Sequence, residues 1–315
     1  MPEPGRLGVG VVSAGRVGTV LASALRAAGH TVVGACAPSE ASRDRLESML
    51  PGVAAMEPDD VCRASELVLL AVPDDELAPL VGGLAALGAF RPGQIVIHVA
   101  GRYGAGVLAP AAGAGAMTLA IHPAMTFTGT SLDVARLAGC PFAVTGPAVL
   151  LPIGQALVAE IGGTPVVVGE EDRGLYHAAL AHASNHLVTL VGQSMRALQA
   201  AGIDDPGAFL TPLLEASLDG TLRSGESALT GPVSRGDAGT VRDHVAAFDA
   251  LAATGDYGDL PPVYRVLAEA TARRVQARTL GCGYDLADIL DALGAGGSAP
   301  GAGGEAEGDA REPGA

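Results

Sequence analysis

The feature that most constrains this chain is a glycine-rich turn between an apolar segment and a predicted helix near the N-terminus. Residues 6–13, RLGVGVVS, predict a short buried strand, and residues 16–28 predict an amphipathic helix that ends at Gly29. A second apolar segment follows at residues 31–36. Strand, turn, helix and strand in this order predict a β-α-β unit.

The turn has the pattern of a phosphate-binding loop. Between the predicted strand and helix stand Ser13, Ala14, Gly15, Arg16, Val17 and Gly18. This is the G-x-G-x-x-G fingerprint of dinucleotide-binding units, with serine in place of the first glycine. Gly15 would let a pyrophosphate approach the backbone, and Gly18 would let the helix pack on the strand. We expect these six residues to bind a dinucleotide, although such turns also occur for packing reasons alone.

The end of the second predicted strand indicates which dinucleotide is bound. NAD enzymes usually have Asp or Glu about 20 residues after the glycines, but residues 35–39, ACAPS, contain neither. Ser39 and Arg43 stand there instead, followed by Arg45, and a hydroxyl and a guanidinium suit a 2′-phosphate. The sequence therefore favours NADP over NAD. The alternative is that Ser39 caps the next helix and the arginines are solvated.

Strands and helices alternate through the first half of the chain. Further strands are predicted at residues 67–72, 94–99, 117–121, 140–145 and 164–168, and helices at residues 39–50, 75–87, 103–111 and 147–161. The strands are continuous apolar runs, as expected where helices cover both faces of a sheet. We predict an α/β fold with an N-terminal doubly wound, parallel Rossmann domain over residues 1–170 that binds NADP.

The second half of the chain is predicted to be all-α. Helices are expected at residues 172–201, 206–218, 237–254, 261–280 and 284–293. Residues 171–293 would form a helical substrate and dimerisation domain. The Gly/Ala/Pro-rich residues 294–315 predict a disordered tail.

Composition excludes several classes of protein. A net charge of −15 argues against a nucleic-acid partner, and the chain has neither a membrane-spanning apolar run nor a basic signal segment. Its four cysteines are scattered singly, which favours reduced thiols in the cytoplasm. All 19 basic residues are arginine, so no lysine can act as a proton donor.

Two histidines end predicted strands. For His98, in IVIHVAG, we favour a hydrogen-bonded core position. His122 precedes the polar loop of residues 123–128 at the edge where a substrate is expected, so it could protonate an alkoxide that develops during reduction. After the strand at 67–72, Val72 and Pro73 could line the nicotinamide ribose. The two aspartates that follow Pro73 are expected to supply the N-cap of the next helix.

One face of the helix predicted at residues 172–201 is polar. At 100° per residue it gathers His182, Asn185, His186, Thr189, Gln193 and Arg196. The stripe has a single formal charge, which favours a wet cleft over an ordinary solvated face. Two of its histidines have metal-ligand spacing without a third ligand, so we predict no metal site. Farther on, Asp237 should cap a helix, while Arg235 could bind a carboxylate or phosphate.

Several of these segments together resemble a known family, the Rossmann-like plus DUF2520 proteins, over about residues 6–290. The resemblance lies in the glycine turn and in the segments AVPDD, IVIHVAG, IHPAMTFTG, YHAALAHASNHLVTL and TGPVSRGD. This family is similar in turn to 6-phosphogluconate dehydrogenase-like enzymes, including pyrroline-5-carboxylate, ketopantoate and β-hydroxyacid reductases. The resemblance implies a nicotinamide cofactor and a helical C-terminal domain that forms a homodimer.

The chain departs from these relatives at the proton donor. β-Hydroxyacid dehydrogenases have Lys and Asn four residues apart; Asn185 matches the Asn, but Ala181 stands at the lysine position. Ala100 stands where the family pattern suggests serine. These departures leave open the alternative that the chain is a divergent or inactive member of the family.

Our leading hypothesis is NADPH-dependent reduction of a small carbonyl compound, such as a ketopantoate-like 2-oxo acid, or of an imine. Asn185 would orient the substrate, His122 would donate the proton and Arg235 would hold a carboxylate. The alternatives are a non-catalytic NADP-binding sensor or scaffold, and an imine reductase of secondary metabolism.

Overall fold

The computed structural model describes residues 6–279 and 283–294 and divides the chain into two compact units, Met1–Asn185 and His186–Ala315. The predicted tail, residues 294–315, lies outside the described residues except for Gly294. Within the described residues, no helix combines the length and apolar character needed to cross a bilayer.

The first unit contains a seven-stranded sheet with the order β2-β1-β3-β4-β5-β6-β7. Its strands are β1 Gly8–Val12, β2 Thr31–Ala35, β3 Leu67–Leu70, β4 Ile95–His98, β5 Met117–Pro123, β6 Pro141–Thr145 and β7 Thr164–Val167. All neighbours are parallel except β5 and β6, which are antiparallel. The predicted parallel pairing is therefore wrong for β5 and β6 and confirmed for the other neighbours. The connection between the two strands has one short helix and makes no full crossover.

Helices flank this sheet. They are α1 Arg16–Ala27, α2 Glu40–Met49, α3 Pro58–Ala64, α4 Asp74–Ala86, α5 Ala109–Gly113, α6 Ser131–Arg136 and α7 Leu151–Glu160. The sequence did not predict α3 and α6, because six or seven residues are too few to show a helical period. A 3₁₀ turn, Ala105–Leu108, precedes α5.

Both faces of the sheet are buried, which explains the continuous apolar runs. Val9, Val11 and Leu69 belong to one core cluster, while Val12 and Leu70 belong to a second cluster. Alternate residues of a strand point to opposite faces, so the two clusters lie on the two sides of the sheet.

The second unit contains helices and no strand among its described residues. α8 Arg173–Ala200 begins in the first unit and crosses the boundary, and α9 Pro206–Ser224, α10 Pro232–Arg235, α11 Ala238–Ala252, α12 Leu260–Arg278 and α13 Leu286–Ala292 follow. Val241, Ala272 and Ile289 are fully buried between these helices. Asp237 accepts a hydrogen bond from the Thr240 N–H at 3.1 Å and caps α11, as predicted.

Candidate active site

The glycine turn connects β1 to α1 through a residue of unusual backbone conformation. Ser13, which replaces the first glycine of the fingerprint, has φ of +82°, in the left-handed region that favours glycine. The next N–H, from Ala14, donates to the Cys36 carbonyl at 2.7 Å and joins the turn to the end of β2. The serine thus retains the turn that glycine usually makes.

The two remaining glycines of the turn differ in why they are needed. A Cβ on Gly18 would lie 2.3 Å from the Ser13 carbonyl oxygen, so this position requires glycine for packing, as predicted. A Cβ on Gly15 would approach only the Ser13 hydroxyl, at 3.4 Å, and φ there is −75°. The protein's own atoms therefore do not require glycine at position 15. The open space lies at the N-terminus of α1, which has no side-chain cap.

Arginines surround this turn without acidic partners. Arg43 donates to the Pro38 carbonyl at 2.8 Å, and Arg45 donates to the Ala14 carbonyl at 3.4 Å. Among the described residues, neither of these arginines nor Arg16 lies within 4.0 Å of a carboxylate. In a chain with a net charge of −15, unpaired guanidinium groups at one turn make it suited to an anion.

Ser39 acts as the N-cap of α2. Its hydroxyl accepts from the Ser42 N–H at 3.1 Å, and the Ser42 hydroxyl accepts from the Ser39 N–H at 2.9 Å. The structure thus contains the capping arrangement that the sequence offered as the alternative to phosphate binding. Contact of Ser39 with a 2′-phosphate stays a prediction.

The turn after β3 differs from the expected capping. The N-cap position of α4 is occupied by Pro73 and not by an aspartate. No side chain makes a capping hydrogen bond at this end of the helix. Asp74 and Asp75 lie in its first turn and pair with Arg102, at 3.6 and 2.9 Å. The prediction of an aspartate cap is therefore wrong. Carboxylates at this end still complement the helix dipole.

His98 is the core residue that the sequence indicated. It is fully buried, its Nδ1 accepts from the Ala100 N–H at 3.2 Å, and its Nε2 lies 2.8 Å from the Gly104 carbonyl. Burial lowers its pKa to about 4, so the ring is neutral at pH 7. The neutral ring holds the backbone after β4 in place.

His122, near the end of β5, pairs with a tyrosine from the first turn of α8. Its Nδ1 lies 2.8 Å from the Tyr176 hydroxyl, and the rings meet edge to face. Burial, and then the nearby positive charge of Arg173, lower the pKa of His122 to about 4. Its imidazole is therefore neutral at pH 7, and Tyr176 can donate a hydrogen bond to it.

Arg173 begins α8 and is 1% exposed. Its guanidinium donates to the carbonyls of Ala100 and Tyr103, each at 2.8 Å, and to that of Ala143 at 3.4 Å. It lies over the Tyr176 ring, 5.5 Å from the ring centre. Neither Arg173 nor Tyr176 was predicted as a site residue, because the predicted polar stripe lies farther along this helix.

A third side chain from α8 completes the cluster. Nδ1 of His177 is buried and has no hydrogen-bond partner among the described residues. A Cβ on Gly101 would lie 2.1 Å from this atom and 3.0 Å from Nε2 of His122, so only glycine fits there. The helical spacing of residues 173, 176 and 177 was the available signal for this face.

The predicted polar stripe of α8 is divided between the two units. Asn185 is the last residue of the first unit. In the second unit, Gln193 and Arg196 bind the Asp259 carboxylate at 2.8 and 3.0 Å. Partners within that unit therefore account for part of the stripe. Arg235, also in the second unit, is exposed and pairs with no carboxylate among the described residues.

Comparison with solved structures gives relatives over most of the chain. A Bacteroides fragilis protein, whose name gives it provisionally as an NADP oxidoreductase, has a TM-score of 0.70 and 18% identity, over 85% of this chain and 99% of its own. An imine reductase from Myxococcus stipitatus in complex with NADP⁺ has a TM-score of 0.60 and 19% identity, over 91% and 99%. A reductive aminase from Aspergillus terreus in complex with NADPH and ethyl levulinate has 0.61 and 16%, over 91% and 99%.

Family models give the sequence-level relationship. No curated protein matches the chain significantly. Residues 2–123 match the Rossmann-like domain, and residues 140–271 match DUF2520, a domain of unknown function. The chain therefore belongs to the proteins that combine a Rossmann-like domain with a DUF2520 domain.

Proposed function

We propose that this protein is an NADPH-dependent reductase of a small carbonyl or imine compound. The observation that carries the proposal is that two features belong to one compact unit. One is a strand–turn–helix unit whose arginines have no carboxylate partner among the described residues, and the other is the His122–Tyr176 pair. Carboxyl ends of parallel strands are where doubly wound sheets bind ligands. NADP in the imine reductase and NADPH in the reductive aminase support the choice of cofactor.

The cofactor site is assigned to the glycine turn and its surroundings. The space at Gly15 and the N-terminus of α1 suit a pyrophosphate, and Arg43, with Ser39, suits the 2′-phosphate. Val72 and Pro73 would line the nicotinamide ribose. When bound, the cofactor supplies a hydride to the substrate carbon.

The His122–Tyr176 pair would supply the proton for a carbonyl substrate. As the substrate oxygen gains negative charge, Nε2–H of His122 passes its proton to that oxygen. Nδ1 of the same ring takes the phenolic proton of Tyr176, 2.8 Å away, so His122 stays neutral and Tyr176 becomes a phenolate. This relay needs no lysine, which the chain lacks.

Other roles follow from the sequence hypothesis. Asn185 would orient the substrate, and Arg235 would hold a carboxylate such as that of a ketopantoate-like 2-oxo acid. Residues 1–170 would form the cofactor domain and residues 171–293 the substrate domain. A cytoplasmic location is part of the proposal, because the cysteines are scattered singly along the sequence.

A homodimer would account for exposed apolar side chains of α9. Phe209 and Leu213, one helical turn apart, are 61% and 62% exposed, and Leu222, on another side of the helix, is 78% exposed. Exposed apolar side chains of this kind are typical of subunit interfaces. We propose that α9 contributes to contact with a second copy.

A turnover assay tests the function. NADPH oxidation is followed with a panel of 2-oxo acids and cyclic imines, for the wild-type protein and for His122→Asn and Tyr176→Phe. We expect turnover with one class and a loss of about 100-fold or more in both variants. Stoichiometric NADPH binding without oxidation of NADPH by any panel member would contradict a reductase and favour a sensor.

A further inference from the structure

We propose that Arg173 is a positioning residue of this site: its buried guanidinium fixes the first turn of α8 on the strand ends and stabilises the phenolate of Tyr176. The second part rests on the proposed function, since the phenolate forms there during reduction. The first part depends on the contacts of the guanidinium alone.

The guanidinium connects α8, to which Arg173 belongs, to two other chain segments. Its bonds to the Ala100 and Tyr103 carbonyls hold the loop after β4, and its bond to the Ala143 carbonyl holds β6. His98 bonds to the same loop, through the Ala100 N–H and the Gly104 carbonyl. The loop is therefore fixed where Gly101 contacts the rings of the site.

The charge of Arg173 is unusual for its position. The side chain is 1% exposed, yet no carboxylate lies within 4.0 Å of it among the described residues, and only carbonyl oxygens satisfy it. Burying an unpaired charge is unfavourable, and burial indeed lowers the pKa of Arg173. Anchoring alone would not require a permanent charge, so a second role for this charge is reasonable.

Tyr176 is the group that gains from this charge. The guanidinium carbon lies 5.5 Å from the ring centre, and a positive charge at this distance favours the phenolate. Burial raises the pKa of Tyr176, and Arg173 opposes that rise. The other titratable or charged groups around the pair and Arg173 are His98, His177, Cys140, Glu170 and Asp74.

The chain provides an internal reference for this effect. Tyr264 of the second unit also bonds to a histidine, with its hydroxyl 3.0 Å from Nδ1 of His244. Burial raises the pKa of Tyr264 without an opposing arginine. Two tyrosine–histidine pairs in one protein therefore differ in the presence of a buried guanidinium.

Tyrosine titration tests the proposal without turnover. NMR of protein labelled with ¹³C at the tyrosine ring follows each phenol with pH, and Tyr176→Phe and Tyr264→Phe identify the two signals. In the wild-type protein we expect Tyr176 to ionise at lower pH than Tyr264. In Arg173→Gln we expect the Tyr176 midpoint to rise by at least one pH unit, which is a tenfold change in the ionisation constant. Arg173→Lys, which keeps a charge, should shift it less.

Arg102→Gln is the matched control, because this exposed arginine lies over the neighbouring Tyr103 ring. It should leave the Tyr176 midpoint unchanged. A Tyr176 midpoint at or above that of Tyr264, or one unaffected by Arg173→Gln, would overturn the proposal. If Arg173→Gln does not fold, the wild-type comparison decides alone. If the tyrosines titrate as expected but the protein oxidises no NADPH, the proposed function is wrong, while the effect of Arg173 on Tyr176 stands.

Discussion

The hydroxyl of Tyr176 lies 2.8 Å from Nδ1 of His122, which joins the first turn of α8 to the carboxyl end of β5. Burial keeps the imidazole neutral, so the phenol is the more acidic member of the pair and can replace the proton that Nε2 of His122 gives up. We expect Tyr176→Phe to reduce kcat by about 100-fold or more while the Kd for NADPH changes less than about threefold. Parallel turnover and binding measurements check this, and an equal loss in both would point to a structural role.

The two glycines of the turn should respond oppositely to alanine. Gly15→Ala should leave the free energy of unfolding nearly unchanged, because the new Cβ meets only the Ser13 hydroxyl at 3.4 Å, yet it should weaken NADPH binding. Gly18→Ala should reduce stability by about 3 kcal/mol, because its Cβ would lie 2.3 Å from a carbonyl oxygen. Urea unfolding measures the change in stability, and NADPH titration measures the change in affinity. If a stable Gly15→Ala protein binds NADPH with full affinity, the pyrophosphate does not occupy the space at Gly15.

Ser13 should be replaceable by glycine with a gain in stability. A non-glycine residue in the left-handed region is strained by about 1 kcal/mol or more, and Ser13 has φ of +82°. Ser13→Gly should therefore raise Tm by a few degrees and retain NADPH binding. A lower Tm would mean that the serine hydroxyl stabilises the turn more than its backbone conformation destabilises it.

Acid should destabilise the first unit through His98. The pKa of this residue is about 4 in the folded protein and 6.5 ordinarily, so the unfolded chain binds a proton first as pH falls. The stabilising contribution is complete above pH 6.5 and is lost between pH 6.5 and pH 4, by about 3 kcal/mol. His122, whose pKa is also about 4, contributes to the slope in the same way. Urea midpoints across this range test the slope, and His98→Gln should reduce it by about half. An unchanged slope in that variant would assign the acid sensitivity elsewhere.

The sheet was predictable from the sequence because its strands are buried on both faces. Runs such as LVLL at residues 67–70 are apolar without interruption, and Gly18 marks the packing of α1 on β1. The antiparallel pairing of β5 and β6 was not predictable, since strand direction depends on the path of the chain between them.

The site was only half predictable for a similar reason. His122 stood out because a polar loop follows it, but its partner is 54 positions away, and Arg173 reaches Ala100 across 73 positions. Helical periodicity sorts residues into faces without showing which tertiary partner a face meets. The polar stripe predicted on α8 therefore includes Gln193, which binds Asp259, and leaves out the first turn, where Arg173 lies.

NADP binding at the glycine turn is tested by a fluorescence titration of the protein with NADPH and, in parallel, with NADH. We predict that NADPH binds at least about tenfold more tightly, because a 2′-phosphate gains charge-assisted hydrogen bonds from Arg43 and its neighbour Arg45. Arg43→Ala with Arg45→Ala should abolish the preference. Arg26→Ala, an exposed arginine near the other end of α1, should keep it. Equal affinity for the two cofactors, or no binding of NADPH, would contradict an NADP site at this turn.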